Sequence, residues 1–78
     1  MNNTKKLIQL TALIEREDDD YVALCPELDI ASQGQTVEEA RFNLGEACKL
    51  FFECAAPEEI STRLHNEVFI TRLEVAVG

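Results

Sequence analysis

From Leu7 to Arg16 apolar and polar side chains alternate. Ile8, Leu10, Ala12 and Ile14 fall on one face; Leu7, Gln9, Thr11, Leu13 and Glu15 fall on the other. A period of two predicts a strand. Glu17-Asp18-Asp19-Asp20 gives a polar turn and Tyr21-Val22-Ala23-Leu24-Cys25 a second strand, so the pair reads as a hairpin. Pro26 ends it, because proline has no N–H for a ladder. A short third strand over Ile30 to Gln33 is more weakly signalled. The period then changes. Val37, Ala40, Leu44, Ala47, Cys48, Phe51 and Ala55 recur in steps of three and four, which predicts a helix from Val37 to about Ala55 with one apolar stripe. Phe42 falls outside that stripe, among Glu38, Glu39, Glu46 and Lys49. Pro57-Glu58-Glu59-Ile60 can open a second, short helix with proline at its first position and Ile60 and Leu64 on its inner face. A long strand is expected from Glu67 to Val77. Phe69, Leu73, Val75 and Val77 line one face around Thr71; Val68, Ile70 and Ala76 lie on the other with Arg72 and Glu74.

These elements predict one α+β domain over residues 1–78. Its small antiparallel sheet of three to four strands packs on one main helix, in the order β-β-(β)-α-β. The helix start is the best-defined boundary. Gly34 can take a positive φ without steric cost. Thr36 is placed to cap, and Glu39 to reach back to the Thr36 N–H, completing a capping box. One helix covers only one face of a sheet. The other face should carry several of Leu7, Leu13, Tyr21, Val68 and Ile70, depending on register, and such a face is a candidate partner surface. Tyr21, Phe42, Glu46, Val68 and Ile70 are the expected partner contacts, in a homo-oligomer (dimer or tetramer) or with another protein.

Length and charge sharpen this picture. At 78 residues, the core supplies no more than about 3–5 kcal/mol without a staple or a partner. Disulfides are a poor staple here. Cys25, Cys48 and Cys54 are odd in number and lack CxxC spacing, so they read as buried apolar residues in a reducing cytoplasm. The formal net charge is −8, and the basic residues Lys5, Lys6, Arg16, Arg41, Lys49, Arg63 and Arg72 are scattered. That opposes direct nucleic-acid binding and suits a basic protein partner, although acidity also serves solubility alone. The start, Met1 to Lys6, is followed by no signal-peptide core, and Leu7 to Ile14 is too short to span a bilayer. A soluble cytoplasmic protein is expected, with no membrane partner.

Candidate chemistry is sparse. Asp18-Asp19-Asp20 lacks the glycine and the distal glutamate of a calcium loop and reads as a solvated turn. His65 is the only histidine, whereas zinc sites draw on several His and Cys. Ser32 and Ser61 have no base nearby in sequence. Gly34 is isolated, so there is no phosphate-cradling loop. The expectation is a non-enzyme without metal or cofactor.

Three stretches carry a family resemblance: Pro26-Glu27-Leu28, then Ser32-Gln33-Gly34-Gln35-Thr36-Val37-Glu38-Glu39-Ala40, then Asn43-Leu44-Gly45-Glu46-Ala47. With Tyr21 in the preceding strand, the chain resembles the HicB-like antitoxins (the UPF0150 group) over about residues 7–77. Many members have a glycine in the loop after the first tripeptide. Asp29-Ile30 stands there in this chain, which predicts a loop that is shorter or differently turned. The resemblance implies a degraded ribonuclease H-like fold. That ancestry would be non-catalytic, because the carboxylates lie in a turn, at a helix start and on exposed faces instead of converging on a metal pair. It also implies a partner, a small basic HicA-like toxin that cleaves mRNA, neutralised when the acidic module covers its RNA-binding surface. The chain ends at Gly78, just after the last expected strand, so a DNA-binding segment is not expected, and autoregulation through DNA is expected to be absent or supplied by another protein. The alternative is an orphan homo-oligomeric structural or regulatory interaction protein with no toxin partner. A hydrolytic enzyme is a third and weaker reading.

Overall fold

A short polar turn forces the chain back on itself twice before any helix forms. The computed structural model describes residues 7–65 and 67–78. The Met1–Lys6 start, with Lys5 and Lys6, lies outside the described residues. Strands β1 (Leu13–Glu17), β2 (Asp20–Cys25) and β3 (Ile30–Gly34) form an antiparallel sheet in the order β1-β2-β3. Helix α1 (Val37–Cys54) packs on it, followed by the short helix α2 (Pro57–Arg63). The expected α+β architecture, with three strands and one main helix, is what the chain adopts.

Register decides which side chains meet the helix. Ile14 pairs with Ala23 and Ala23 with Ser32; Arg16 pairs with Tyr21 and Tyr21 with Gly34. Ala23 and Cys25 are fully buried, so Tyr21, Ala23 and Cys25 share the inner face. The core is Ala23, Cys25, Leu28, Ala40, Leu44 and Cys48, with Leu10, Ile14, Phe51, Phe52 and Leu64 packed around it. Most of these central side chains are small, which lets α1 lie close over β2 and β3. Gly34 belongs to the same device. A Cβ there would sit 2.5 Å from the Ala40 backbone nitrogen and 2.8 Å from the Glu39 carbonyl carbon. Its φ is not positive, so the expected conformational role gives way to close approach between strand end and helix start.

Among the described residues the left-handed positions are two aspartates, Asp18 in the hairpin turn (φ 57°) and Asp29 in the β2–β3 turn (φ 60°). Aspartate is among the few residues that visit this region readily. Asp29 therefore carries the left-handed conformation of the β2–β3 turn without a glycine.

Helix α1 starts where expected. Thr36 has extended backbone (φ −132°, ψ 164°) and its Oγ1 accepts from the Glu39 N–H at 3.0 Å. The Glu39 carboxylate takes the N–H of Gln35 instead of that of Thr36, so the box closes one residue further back than expected. Helix α2 begins at proline, and the Leu64 N–H closes its last turn on the Ile60 carbonyl.

Two expectations fail. The first strand begins at Leu13 and not at Leu7, because β2 ends at Cys25 and offers residues 7–12 no ladder. The segment Glu67–Val77 forms no strand: it has no ladder partner, and apart from half-buried Val68 it is exposed. The alternation is there, but no edge among the described residues is paired with it. The molecule is accordingly long, 61 × 28 × 21 Å, with a radius of gyration of 15.2 Å. A compact chain of this length would have about 11.5 Å.

Candidate partner-binding surface

Three regions bear on function: a clasp at the β2–β3 turn, a groove beside β1, and the 67–77 arm. The clasp is built on Glu27. Its carboxylate accepts from the Thr11 backbone N–H (2.9 Å) and the Thr11 hydroxyl (2.6 Å), and from the Cys25 thiol at 3.4 Å. Its carbonyl accepts from the His65 N–H at 2.7 Å. One residue on, the Leu28 carbonyl accepts from Arg63 Nη2 at 2.8 Å and Nε at 3.2 Å. The Arg63 guanidinium also lies 5.3 Å from the Phe51 ring centre. The turn thus ties the N-terminal segment, the end of α2 and α1 to one point. Partial burial raises the Glu27 pKa, but the hydrogen bonds from Thr11 and Cys25 outweigh it and hold the carboxyl below its ordinary value. The acid of the Pro-acidic-Leu tripeptide is a structural hub, which neither periodicity nor composition signals.

The thiols follow the same logic of burial. Cys25 is pushed up to about 11, first by desolvation and further by its neighbours Cys48 and Glu27. Desolvation likewise raises Cys48. Both are buried, free and suited to remain protonated. Cys54 departs from the expectation of burial: it is exposed. Six residues beyond Cys48, it lies about 120° around the helix from the buried stripe.

The groove, of about 550 Å³, runs between residues 7–12 and the exposed flank of α1. Phe42 (65% exposed) and Glu46 form part of its wall one turn apart, with Gly45 between them and Phe52 at the base. Arg41 and Lys49 also line it. Of the expected contacts, the structure brings Phe42 and Glu46 together here. Tyr21 is elsewhere. It is half-buried on the inner sheet face against the core, with Arg16 stacked 6.0 Å from its ring centre, so its expected place on the open face is corrected by the register. Val68 and Ile70 lie on the arm, outside the groove. The open sheet face carries a short apolar row instead, Leu13-Leu24-Ala31 across the three strands. Leu7, Ile8 and Gly45 were not anticipated as groove residues. A glycine inside a helical pattern was the available signal, since it is unfavourable there without a packing reason.

Asn43 has a mainly structural task. Its Nδ2 donates to the Gln33 carbonyl of β3 at 2.8 Å, anchoring helix to sheet beside buried Leu44. Among the described residues, no cluster of three or more His, Cys, Asp or Glu is placed to hold a metal ion. No helix among them is long and apolar enough to cross a membrane. Comparison with protein-family models, with curated proteins and with solved structures gave no match.

Proposed function

We propose that this chain is a binding module of the HicB-like antitoxin kind, which neutralises a small, basic, mRNA-cleaving HicA-like toxin by covering its RNA-binding surface. The observation that carries the reading is the employment of the motif residues. Glu27 and Leu28 hold the clasp, Thr36 and Glu39 the helix start, and Asn43 and Leu44 the helix–sheet contact. They act as one framework in a chain whose formal net charge is −8, and beside Phe42 they leave a groove free for recognition. Inhibition on this reading is steric and electrostatic. It needs no catalytic group, and the chain itself does not bind DNA or RNA.

The test is a purified pair: this chain and the product of a short basic reading frame beside its gene. With RNA as substrate, cleavage by the basic protein should stop at equimolar addition, and protection should weaken with salt. Undiminished cleavage at equimolar or excess chain would remove the reading. A second reading, an orphan homo-oligomer, is favoured by one observation: the 67–77 arm presents Phe69, Leu73, Val75 and Val77 to solvent. Sedimentation of the chain alone tests it without any toxin.

A further inference from the structure

We propose that the groove beside β1 receives the 67–77 arm of a second copy of this chain, so that two copies exchange arms. The inference rests on the homo-oligomer reading and names the segment and the edge that would make it. The arm is a strand-patterned segment without a ladder. Phe69, Leu73 and Val77 are each more than four-fifths exposed, and its one hydrogen bond among the described residues, Thr71 Oγ1 to the Arg72 carbonyl, stays within the arm. An apolar row of this kind is stable in water when something covers it.

Among the described residues β1 and β3 are the two edge strands, and β1 is the more open. On the β3 side, α1 lies against the strand: Asn43 occupies the Gln33 carbonyl, and Gly34 abuts the Ala40 nitrogen. Beyond β1 no strand is paired, and residues 7–12 continue that edge with no ladder on either side. The edge from Leu7 to Glu17 and the arm from Glu67 to Val77 are matched in length, each about 36 Å when extended. Strand addition along such an edge satisfies its outward N–H and C=O groups, apart from the Thr11 N–H that Glu27 already holds.

The groove fits a strand lying beside that edge. Gly45 has open space where its Cβ would be, so the packing of this chain does not require a glycine there. That space lets another backbone come close to the helix. Arg41 and Lys49 along the groove complement Glu67 and Glu74 of the arm, and Glu46 complements Arg72.

The tether argues for a second copy. His65 is bonded to Glu27, and Glu27 to Thr11, so a chain's own arm starts beside the middle of the edge. It cannot cover the edge from Leu7 to Glu17. An arm from a partner has no such tether, and reciprocal exchange closes a two-fold dimer.

Sedimentation equilibrium at micromolar concentration should give twice the 8.8 kDa chain mass for the parent. The arm variant L73D/V75D and the groove variant G45R should each weaken association about tenfold or more while keeping the parent's circular dichroism. Both substitutions fall on exposed positions, so the fold should survive them. In a C54S background, a chain carrying both G45C and L73C and treated with a bismaleimide should give covalent dimers. A cross-linked single chain would show that the arm returns to its own groove and would overturn the exchange. A dimer that persists in L73D/V75D would overturn arm exchange while leaving self-association intact. A parent that stays monomeric would overturn both.

Discussion

The body of the molecule and its arm are written in the same hydrophobic alphabet and end in opposite conditions. In β2 Ala23 and Cys25 are buried under α1 with Tyr21 half-buried beside them, and the groups around the turn are hydrogen-bonded. In the arm the alternation is as regular, yet Leu73 and Val77 face water. The difference is a partner edge. Alternation specifies which face a strand would bury, and a strand exists only where a neighbour accepts its N–H and C=O groups. β2 lies between two neighbours joined to it by short turns, whereas the arm follows α2 and pairs with no strand among the described residues.

The sharpest way to break this comparison is to truncate a leucine in each region. Leu28→Ala removes a fully buried side chain and should cost about 2–5 kcal/mol, enough to unfold much of a domain this small. Leu73→Ala should change the stability of the isolated chain by less than about 0.5 kcal/mol. Urea denaturation at high dilution compares the two, and equal losses would mean that the arm is part of the core. The clasp comes next. Glu27→Gln weakens charge-assisted hydrogen bonds and should cost about 1–2 kcal/mol at neutral pH. Because the folded pKa of Glu27 is lowered, its contribution is complete above the unfolded value of about 4.3 and is lost as pH falls through the folded value. Stability curves of parent and variant should therefore converge in acid and separate above it; a constant gap would remove the carboxylate from the account.

A third expectation concerns the boundary between sheet and helix. Thr36→Ala should cost about 0.5–2 kcal/mol in urea, with no effect on association beyond that loss. The smallest effect is on reactivity. In the native protein one thiol, Cys54, should react quickly with an aromatic disulfide reagent, and Cys25 and Cys48 only after unfolding. Fast labelling of all three would place the core cysteines in water.

Much of the body was legible because its signals are local. The hairpin, the Thr36 cap, the α1 stripe and the proline start of α2 each follow from residues within one or two turns of each other. What was not legible depends on distance in sequence. No periodicity says that Glu27 will hold Thr11, or that Arg63 will cap the Leu28 carbonyl across 35 positions. Gly34 was readable as special but for the wrong reason, because a close backbone approach and a left-handed turn both select glycine. The face of Tyr21 was left to the register, which the buried Ala23 and Cys25 two and four residues on fix. Of the candidate surface, Phe42 and Glu46 could be found from the helical pattern. The groove they share needed the position of residues 7–12, which no pattern in the helix contains.

The clasp also implies an order of events in folding. The two hairpins close over a few residues each, while the Arg63 bond to Leu28 must close a loop of 35 positions, at a greater entropic cost. The three-stranded sheet and α1 can therefore assemble first, and the Glu27–Leu28 turn becomes a receptor that exists only once β2 and β3 are paired. Contacts that form after the barrier govern how long the native state lasts and have little influence on how quickly it is reached. Arg63→Ala should accordingly steepen loss of the native state in a stopped-flow unfolding experiment while the refolding rate stays near that of the parent.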